Sequence, residues 1–194
     1  AFLASGCIDR FTIVYRDAAQ KAELEAALNQ IDLQGIPFDW VIGGDHRQSS
    51  VYNALRIQVK TCTHVFIHDS ARPLVSAKSI QALHTAVLRD RAAVLAHPVT
   101  DTIKRIPNAE QLTQTTLEDL DRSHIWAMET PQAFALPDIL KAYQHVHNSG
   151  LRVTDDSAAA ATIGLNITLV PNNATNLKIT TPADLSYATW LLQQ

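Results

Sequence analysis

The segment VFIHDSARP, residues 65–73, joins an apolar run to an acid and a base three positions apart. Val65, Phe66 and Ile67 read as a buried strand, and His68 to Pro73 as the loop at its carboxyl end, the place where parallel-sheet proteins hold ligands. Asp69 is of the type that holds a divalent metal or accepts from a ribose hydroxyl, and Arg72 has the fork geometry that grips a phosphate. Polyanion chemistry is one reading, and an Asp turn followed by an ion-paired Arg and a Pro stop is the other. A second segment, GGDHRQSSV (43–51), stands between a strand and a helix start. Its paired glycines let backbone approach a ligand, the helix terminus offers free N–H groups, and Arg47 adds positive charge; Ser50 is a ligand contact or the helix cap. Arg122, Thr130 and Lys178 lie in RSHIWAMETPQAF and NLKITTPADL, which carry more polar function than a plain connection requires, although each residue taken singly fits a solvated surface. Asp155 and Asp156 open an Ala-rich helix and read as caps. His145 and His147 point to different faces of one helix, which argues against a metal pair, and HExxH, Cys-x-x-Cys and Gly-x-Ser-x-Gly are absent from the sequence.

The elements that must position these residues alternate between β-rich runs and helical patterns. FTIVY (11–15) is a strand, and Asp17 caps a helix with Leu24, Ala27, Leu28 and Ile31 at helical spacing. FDWVI (38–42) is the next strand, followed by a helix from about Ser50 with Val51, Leu55 and Val59 on one face. HVFIH (64–68) leads to a helix from about Ser76, and AAVLAHPV (92–99) is a fourth strand. The pattern predicts an α/β fold: a mostly parallel sheet sandwiched by helices. From 98 to 125 the order breaks into a polar stretch with a Pro-Asn turn and weak period-two alternation, read as a protruding β-arm. An arm with so little core of its own packs on a partner subunit, or else is a solvent-exposed excursion. Beyond it, a helix ends at Gly150, NITLV (166–170) is a late strand, and Pro182 opens a terminal helix.

The 194 residues are expected to form a single domain, 1–194, with the arm inside it. A net charge of −3 supplies no basic footprint for nucleic acid, so an anionic ligand must be met by local Arg and Lys clusters. No apolar run approaches a membrane span, and the N-terminal AFLASGCI lacks the basic start of a secretory signal. Cys7 and Cys62 form neither a metal motif nor a disulfide framework, so a reduced, cytoplasmic setting is expected.

Taken in order, GGDHRQSSV, VFIHDSARP, VTDTIKRI, DRSHIWAMETPQAF, VTDDSAAAATIG and NLKITTPADL resemble the 2-C-methyl-D-erythritol 4-phosphate cytidylyltransferases across essentially the whole chain. The resemblance implies a nucleotide-diphospho-sugar-transferase type, Rossmann-like α/β fold and a homodimer joined through β-arms. It also implies use of CTP with Mg2+ or another divalent cation, to make 4-diphosphocytidyl-2-C-methyl-D-erythritol and pyrophosphate in non-mevalonate isoprenoid biosynthesis. Carried over by motif, Gly44, Asp45, Arg47 and Ser50 fall in the segment that recognises the cytidine nucleotide. Asp69 matches the position near ribose, metal and methylerythritol phosphate, and Arg72 the position that touches the second substrate. Thr102 matches an arm residue that reaches into the partner's active site. Arg122 and Lys178 match the two cations that position the methylerythritol phosphate for attack, with Thr130 beside them. The family also begins with a strand and a Gly-rich loop, then an Arg and a Lys. The six glycines here form no such loop, and AFLASGCIDRFTIVYRD matches the helix and second strand beyond it, so a truncated chain is expected. The alternatives are a ribitol 5-phosphate or other polyol phosphate cytidylyltransferase, and a non-catalytic dimeric nucleotide-binding remnant.

Overall fold

The computed structural model describes residues 1–193. Its elements run α1 (Phe2–Ser5), β1 (Phe11–Tyr15), α2 (Ala18–Leu28), β2 (Phe38–Ile42), α3 (Arg47–Arg56), β3 (His64–Ile67), α4 (Ala77–Asp90) and β4 (Ala92–Pro98). The short strands β5 (Lys104–Arg105) and β6 (Glu118–Asp119) and a 3-10 turn (Arg122–His124) come next. The chain then forms β7 (Trp126–Ala135), α5 (Leu136–Asn148), α6 (Asp156–Ala161), β8 (Thr168–Pro171) and α7 (Pro182–Leu191).

The fold is α/β. Its main sheet has the order β3-β7-β4-β8, with β4 and β8 parallel and β7 antiparallel to both neighbours. Thus β3, β4 and β8 share one direction and β7 alone opposes it. β1 and β2 pair in parallel as a separate two-stranded sheet, and no ladder joins it to the main sheet among the described residues. The ring of Phe2 in α1 spans part of that division, with its centroid 6.5 Å from Phe11 of β1 and 5.0 Å from His68 at the end of β3.

Alternation along β4 sets the two faces of the core. Ala92 and Val94 pack with Phe134 against Leu55 of α3, Ile139, Tyr143 and Val146 of α5, and the small Ala159 and Ala160 of α6. Ala93 and Leu95 face the other way with Ala133, against Ile80, Leu83 and Val87 of α4. Caps fix several helix starts: Asp17 accepts from the Gln20 N–H, Ser76 from the Ser79 N–H, and Thr181 and Asp184 form a reciprocal capping box on α7. One start differs from expectation. The helix placed at about Ser50 begins at Arg47, with His46 at the cap position, so Ser50 lies inside the first turns and is not the cap.

β7 is the element the sequence pattern hides. Its METPQ segment reads as polar connection, yet Glu129 to Ala135 are all buried. Between the pairs Val94–Gln132 and Ala96–Met128, Leu95 alone faces Glu129, Thr130 and Pro131, so β7 bulges there. A bulge removes the ladder hydrogen bond that Pro131 could not make and re-aims the neighbouring side chains.

Candidate active site

Four charged side chains line up at the carboxyl end of β3. Arg47, the first residue of α3, forks onto Asp156 through Nη1 (3.0 Å) and Nη2 (2.8 Å) and donates from Nε to Asp69 Oδ1 (3.0 Å). Asp69 Oδ2 accepts from Lys178 Nζ at 2.9 Å, and Asp156 also accepts from the Tyr143 hydroxyl. The row runs from interior to solvent: the side chain of Asp156 is fully buried, that of Asp69 is 17% exposed and that of Lys178 is 45% exposed. Burial works against the Arg47 charge, but the hydrogen bonds and charge of Asp156, joined by Asp69, outweigh it and raise its pKa. Burial pushes Asp69 up, yet Lys178 and Arg47 together hold it below the usual carboxylate range. Burial, with the Asp156 charge added, raises the Tyr143 hydroxyl, which stays a neutral donor.

A second tier supports Asp69 from below. Its N–H donates to Thr130 Oγ1 (3.0 Å), which the β7 bulge has turned toward the loop. His68 Nε2 faces the Arg72 carbonyl at 3.1 Å, and because a carbonyl only accepts, the ring proton is on Nε2. His68 Nδ1 therefore accepts from the Thr130 hydroxyl (3.1 Å), and burial lowers the His68 pKa so that this neutral tautomer persists. Arg72 returns its N–H to the Asp69 carbonyl (2.9 Å), closing the turn, and its Nη1 donates to the Asn176 carbonyl (2.7 Å). The Ile179 N–H donates to the Ala71 carbonyl (2.8 Å), fastening the segment that carries Lys178 to the same loop.

The glycine pair has a steric reason. A Cβ on Gly44 would lie 2.5 Å from Ser49 Cβ, and one on Gly43 2.8 Å from Ser50 Oγ. Removing both Cβ atoms lets the loop fold down on the start of α3, where the Gly44 N–H donates to Ser50 Oγ at 3.0 Å. Asp45 is exposed on this loop, which leads directly into Arg47.

The structure thus brings Arg47, Asp69, Thr130 and Lys178 together, with Arg72 and the Gly44–Ser50 loop adjoining. Thr102 and Arg122 stand apart. Both are exposed on the 98–125 segment, where the Arg122 guanidinium donates to the Thr100 carbonyl, and among the described residues neither is bonded to the Asp69 row. Sequence reading missed Asp156 and Tyr143. Asp156 reads as a cap beside Asp155, which is the true cap and accepts from the Ala158 N–H. Tyr143 reads as core, since Ile139, Ala142 and Val146 share its buried face. His68, Glu129, Asn172 and Asn176 carry no pattern that singles them out.

Among the described residues no group of three or more His, Cys, Asp or Glu side chains converges as a metal site. Of the two carboxylates in the row, Asp156 is fully buried, so the accessible donor at the end of β3 is Asp69, whose two oxygens already meet Arg47 and Lys178. That suits a magnesium ion ligated mainly by substrate phosphates and water, and does not suit an all-protein cage.

The family model for 2-C-methyl-D-erythritol 4-phosphate cytidylyltransferase (IspD) matches residues 1–194. The chain belongs to this family. The 2-C-methyl-D-erythritol 4-phosphate cytidylyltransferase of Synechococcus elongatus is 38% identical over 174 residues, which is 90% of this chain and 73% of that protein. The one of Clostridioides difficile is 33% identical over 185 residues, 95% of this chain and 75% of that protein. Among solved structures, the 4-diphosphocytidyl-2C-methyl-D-erythritol synthase of Anaerococcus prevotii superposes with a TM-score of 0.84 at 26% identity, covering 96% of this chain and 80% of that one. The Thermus thermophilus IspD gives 0.75 at 25% identity, covering 96% and 99%.

Proposed function

We propose that the chain transfers a cytidylyl group from CTP to 2-C-methyl-D-erythritol 4-phosphate, giving 4-diphosphocytidyl-2-C-methyl-D-erythritol and pyrophosphate in non-mevalonate isoprenoid biosynthesis. The observation that carries this reading is the Lys178–Asp69–Arg47 row at a strand end, in a chain of the IspD family. An oxygen of the methylerythritol phosphate attacks the α-phosphorus of CTP. A P–O bond forms there as the bond to the β-phosphate breaks and pyrophosphate leaves with its electron pair. The substrate supplies the nucleophile, so the protein's task is placement and charge stabilisation. Lys178, the most open cation of the row, leaves Asp69 to meet the polyol phosphate, and Arg72 approaches the same group. The Gly44–Ser50 loop, with Asp45 and the start of α3, faces the cytidine nucleotide. A magnesium ion carried in by the triphosphate would take Asp69 as its protein ligand and draw charge from the phosphate oxygens.

The same reading makes the active form a homodimer. The 98–125 arm buries none of its own residues and leaves Leu112 and Leu117 72% and 57% exposed, which favours packing on a second copy. Thr102 is delivered by that arm to the neighbour's site, and Arg122 at its foot depends on the same docking. Among the described residues no helix is long and apolar enough to cross a membrane, and small soluble substrates suit action in the cytoplasm. Pyrophosphate release in the presence of magnesium, with methylerythritol and ribitol phosphates in parallel, is the test. Faster turnover with ribitol 5-phosphate would overturn the substrate assignment. Lys178→Ala is expected to lose about one to two powers of ten in turnover, the worth of one charge-assisted phosphate contact, with CTP affinity much less affected.

A further inference from the structure

Glu129 sits in the β7 bulge, is 4% exposed, and has no Lys or Arg partner among the described residues. Its carboxylate accepts from three sides: His97 Nδ1 on Oε1 (2.8 Å), and Asn172 Nδ2 (2.7 Å) and Asn176 Nδ2 (2.9 Å) on Oε2. The other Asn176 amide hydrogen goes to the Thr130 carbonyl at 2.9 Å, so both donors of that side chain are committed to the bulge. The Asn176 backbone carbonyl is in turn the acceptor for Arg72 Nη1. Among the described residues Arg72 has no carboxylate partner, and its buried Nε–H and the buried Asn176 Oδ1 are both without a hydrogen bond. The direction of the Arg72 guanidinium therefore rests on one backbone oxygen, and that oxygen is held in place by the grip of Glu129 on the Asn176 side chain. The Asn172 arm of the network anchors the start of the same segment. Asn172 Oδ1 accepts from Ser79 of α4 (2.9 Å), and its backbone N–H donates to the Ala96 carbonyl (2.9 Å). Lys178 lies two residues beyond Asn176 on the segment so fixed.

We propose that Glu129 is a positioning residue for the polyol phosphate: through Asn176 it sets the orientation of Arg72 and the seating of the loop that carries Lys178. This rests on the cytidylyltransferase reading and adds to it a residue that never touches substrate. A carboxylate suits the role because it only accepts, and each group around it arrives as a donor. Glutamine meets the same demands at one cost. Its carbonyl accepts from both asparagines while its amide donates to His97 Nδ1, once that ring has moved its proton to Nε2. Leucine fills similar space but removes the acceptor of one amide hydrogen on each asparagine, leaving Asn176 held only through the Thr130 carbonyl.

The test compares Glu129→Leu, Glu129→Gln and Asn176→Ala in the full chain. Glu129→Leu and Asn176→Ala are expected to raise KM for the polyol phosphate about tenfold, the effect of losing one well-placed phosphate contact, while KM for CTP stays within about twofold; Glu129→Gln restores the polyol phosphate KM. In an Arg72→Ala background, adding Glu129→Leu is expected to raise that KM by clearly less than it does in the wild type, since Arg72 is gone and only the seating of the Lys178 loop is left to respond. The Arg72 Nε–H resonance of the ligand-free protein supplies a readout independent of turnover, moving in Glu129→Leu and returning in Glu129→Gln. Equal rises in both KM values, additivity with Arg72→Ala, or an unmoved Arg72 resonance in Glu129→Leu and Asn176→Ala would each overturn the proposal. A wild-type protein inactive toward every polyol phosphate defeats the functional reading instead, and the Arg72 resonance still decides the role of Glu129. Should Glu129→Leu fail to fold, Asn176→Ala carries the same comparison.

Discussion

Arg47 is held by two carboxylates of unequal burial, and the difference separates what folds the site from what works in it. Asp156 is fully buried and bidentate, so Asp156→Ala strips a partly buried guanidinium of its two-pronged partner, leaving it Asp69 alone, and leaves the Tyr143 hydroxyl without its acceptor. That is expected to cost about 3–5 kcal/mol of stability, read as a lowered urea midpoint. The Asp69–Lys178 pair is more open, and screening limits its share of stability to about 1 kcal/mol or less, so Lys178→Ala should leave the midpoint nearly unchanged while turnover falls. His68 adds a pH dependence. Its folded pKa lies below the ordinary 6.5 because burial disfavours the imidazolium, so below 6.5 the unfolded chain takes up the proton first. Stability therefore falls as pH drops from 6.5 toward the folded value, and the more exposed His64, also lowered by burial, acts with the same sign. Thermal midpoints measured from about pH 7.5 to about pH 5.5 should decline less steeply in His68→Gln than in the wild type.

Close approach governs at the scale of elements. The Gly43–Gly44 loop lies against the start of α3, and the Gly44 position meets a rigid Cβ where Gly43 meets only the movable end of Ser50. Gly44→Ala is expected to lose about 1–3 kcal/mol of stability from overpacking and to weaken CTP binding, by melting and calorimetry respectively. Adding Ser49→Gly removes the atom in the way and should recover the binding, although glycine in the first turn of α3 returns only part of the stability. The β7 bulge is the second such device. It lets a strand with a proline at its centre stay in the sheet while turning Thr130 toward Asp69 and Glu129 toward Asn176.

For the whole molecule, the arm is the part whose geometry one chain leaves open. Its strands β5 and β6 pair Lys104 with Asp119 and Arg105 with Glu118, and cross-strand ion pairs keep the same register, so its lysine and arginine are already neutralised within the arm. In the proposed dimer, Thr102 and Arg122 are the arm residues that would meet the neighbour. On the proposed dimer, mixing a Thr102→Ala chain with a Lys178→Ala chain should raise activity above that of either variant alone, because one of the two sites in the heterodimer then keeps both residues. No recovery in a verified heterodimer would refute the shared site. Deleting the arm should leave the β3-β7-β4-β8 sheet folded, since none of its core contacts come from residues 99–124.

Local signals were sufficient for the framework. FTIVY, FDWVI and HVFI are short apolar runs whose strand character does not depend on a distant partner, and Asp17, Ser76 and Thr181 cap helices through groups three residues away. The ordered motifs likewise identified the family and singled out Arg47 and Asp69, which the fold brings into one ion-paired row. What tertiary structure decided is everything whose partner is remote in sequence. Asp156 becomes the buried counter-ion of Arg47 across 109 positions, and Lys178 meets Asp69 across the same separation. β7 is central because its glutamate, threonine and glutamine find hydrogen-bond partners in other loops, which turns a polar stretch into a buried strand. A sequence pattern records which residues are apolar, but burial of a polar group is settled by whether a distant segment brings the matching donor or acceptor.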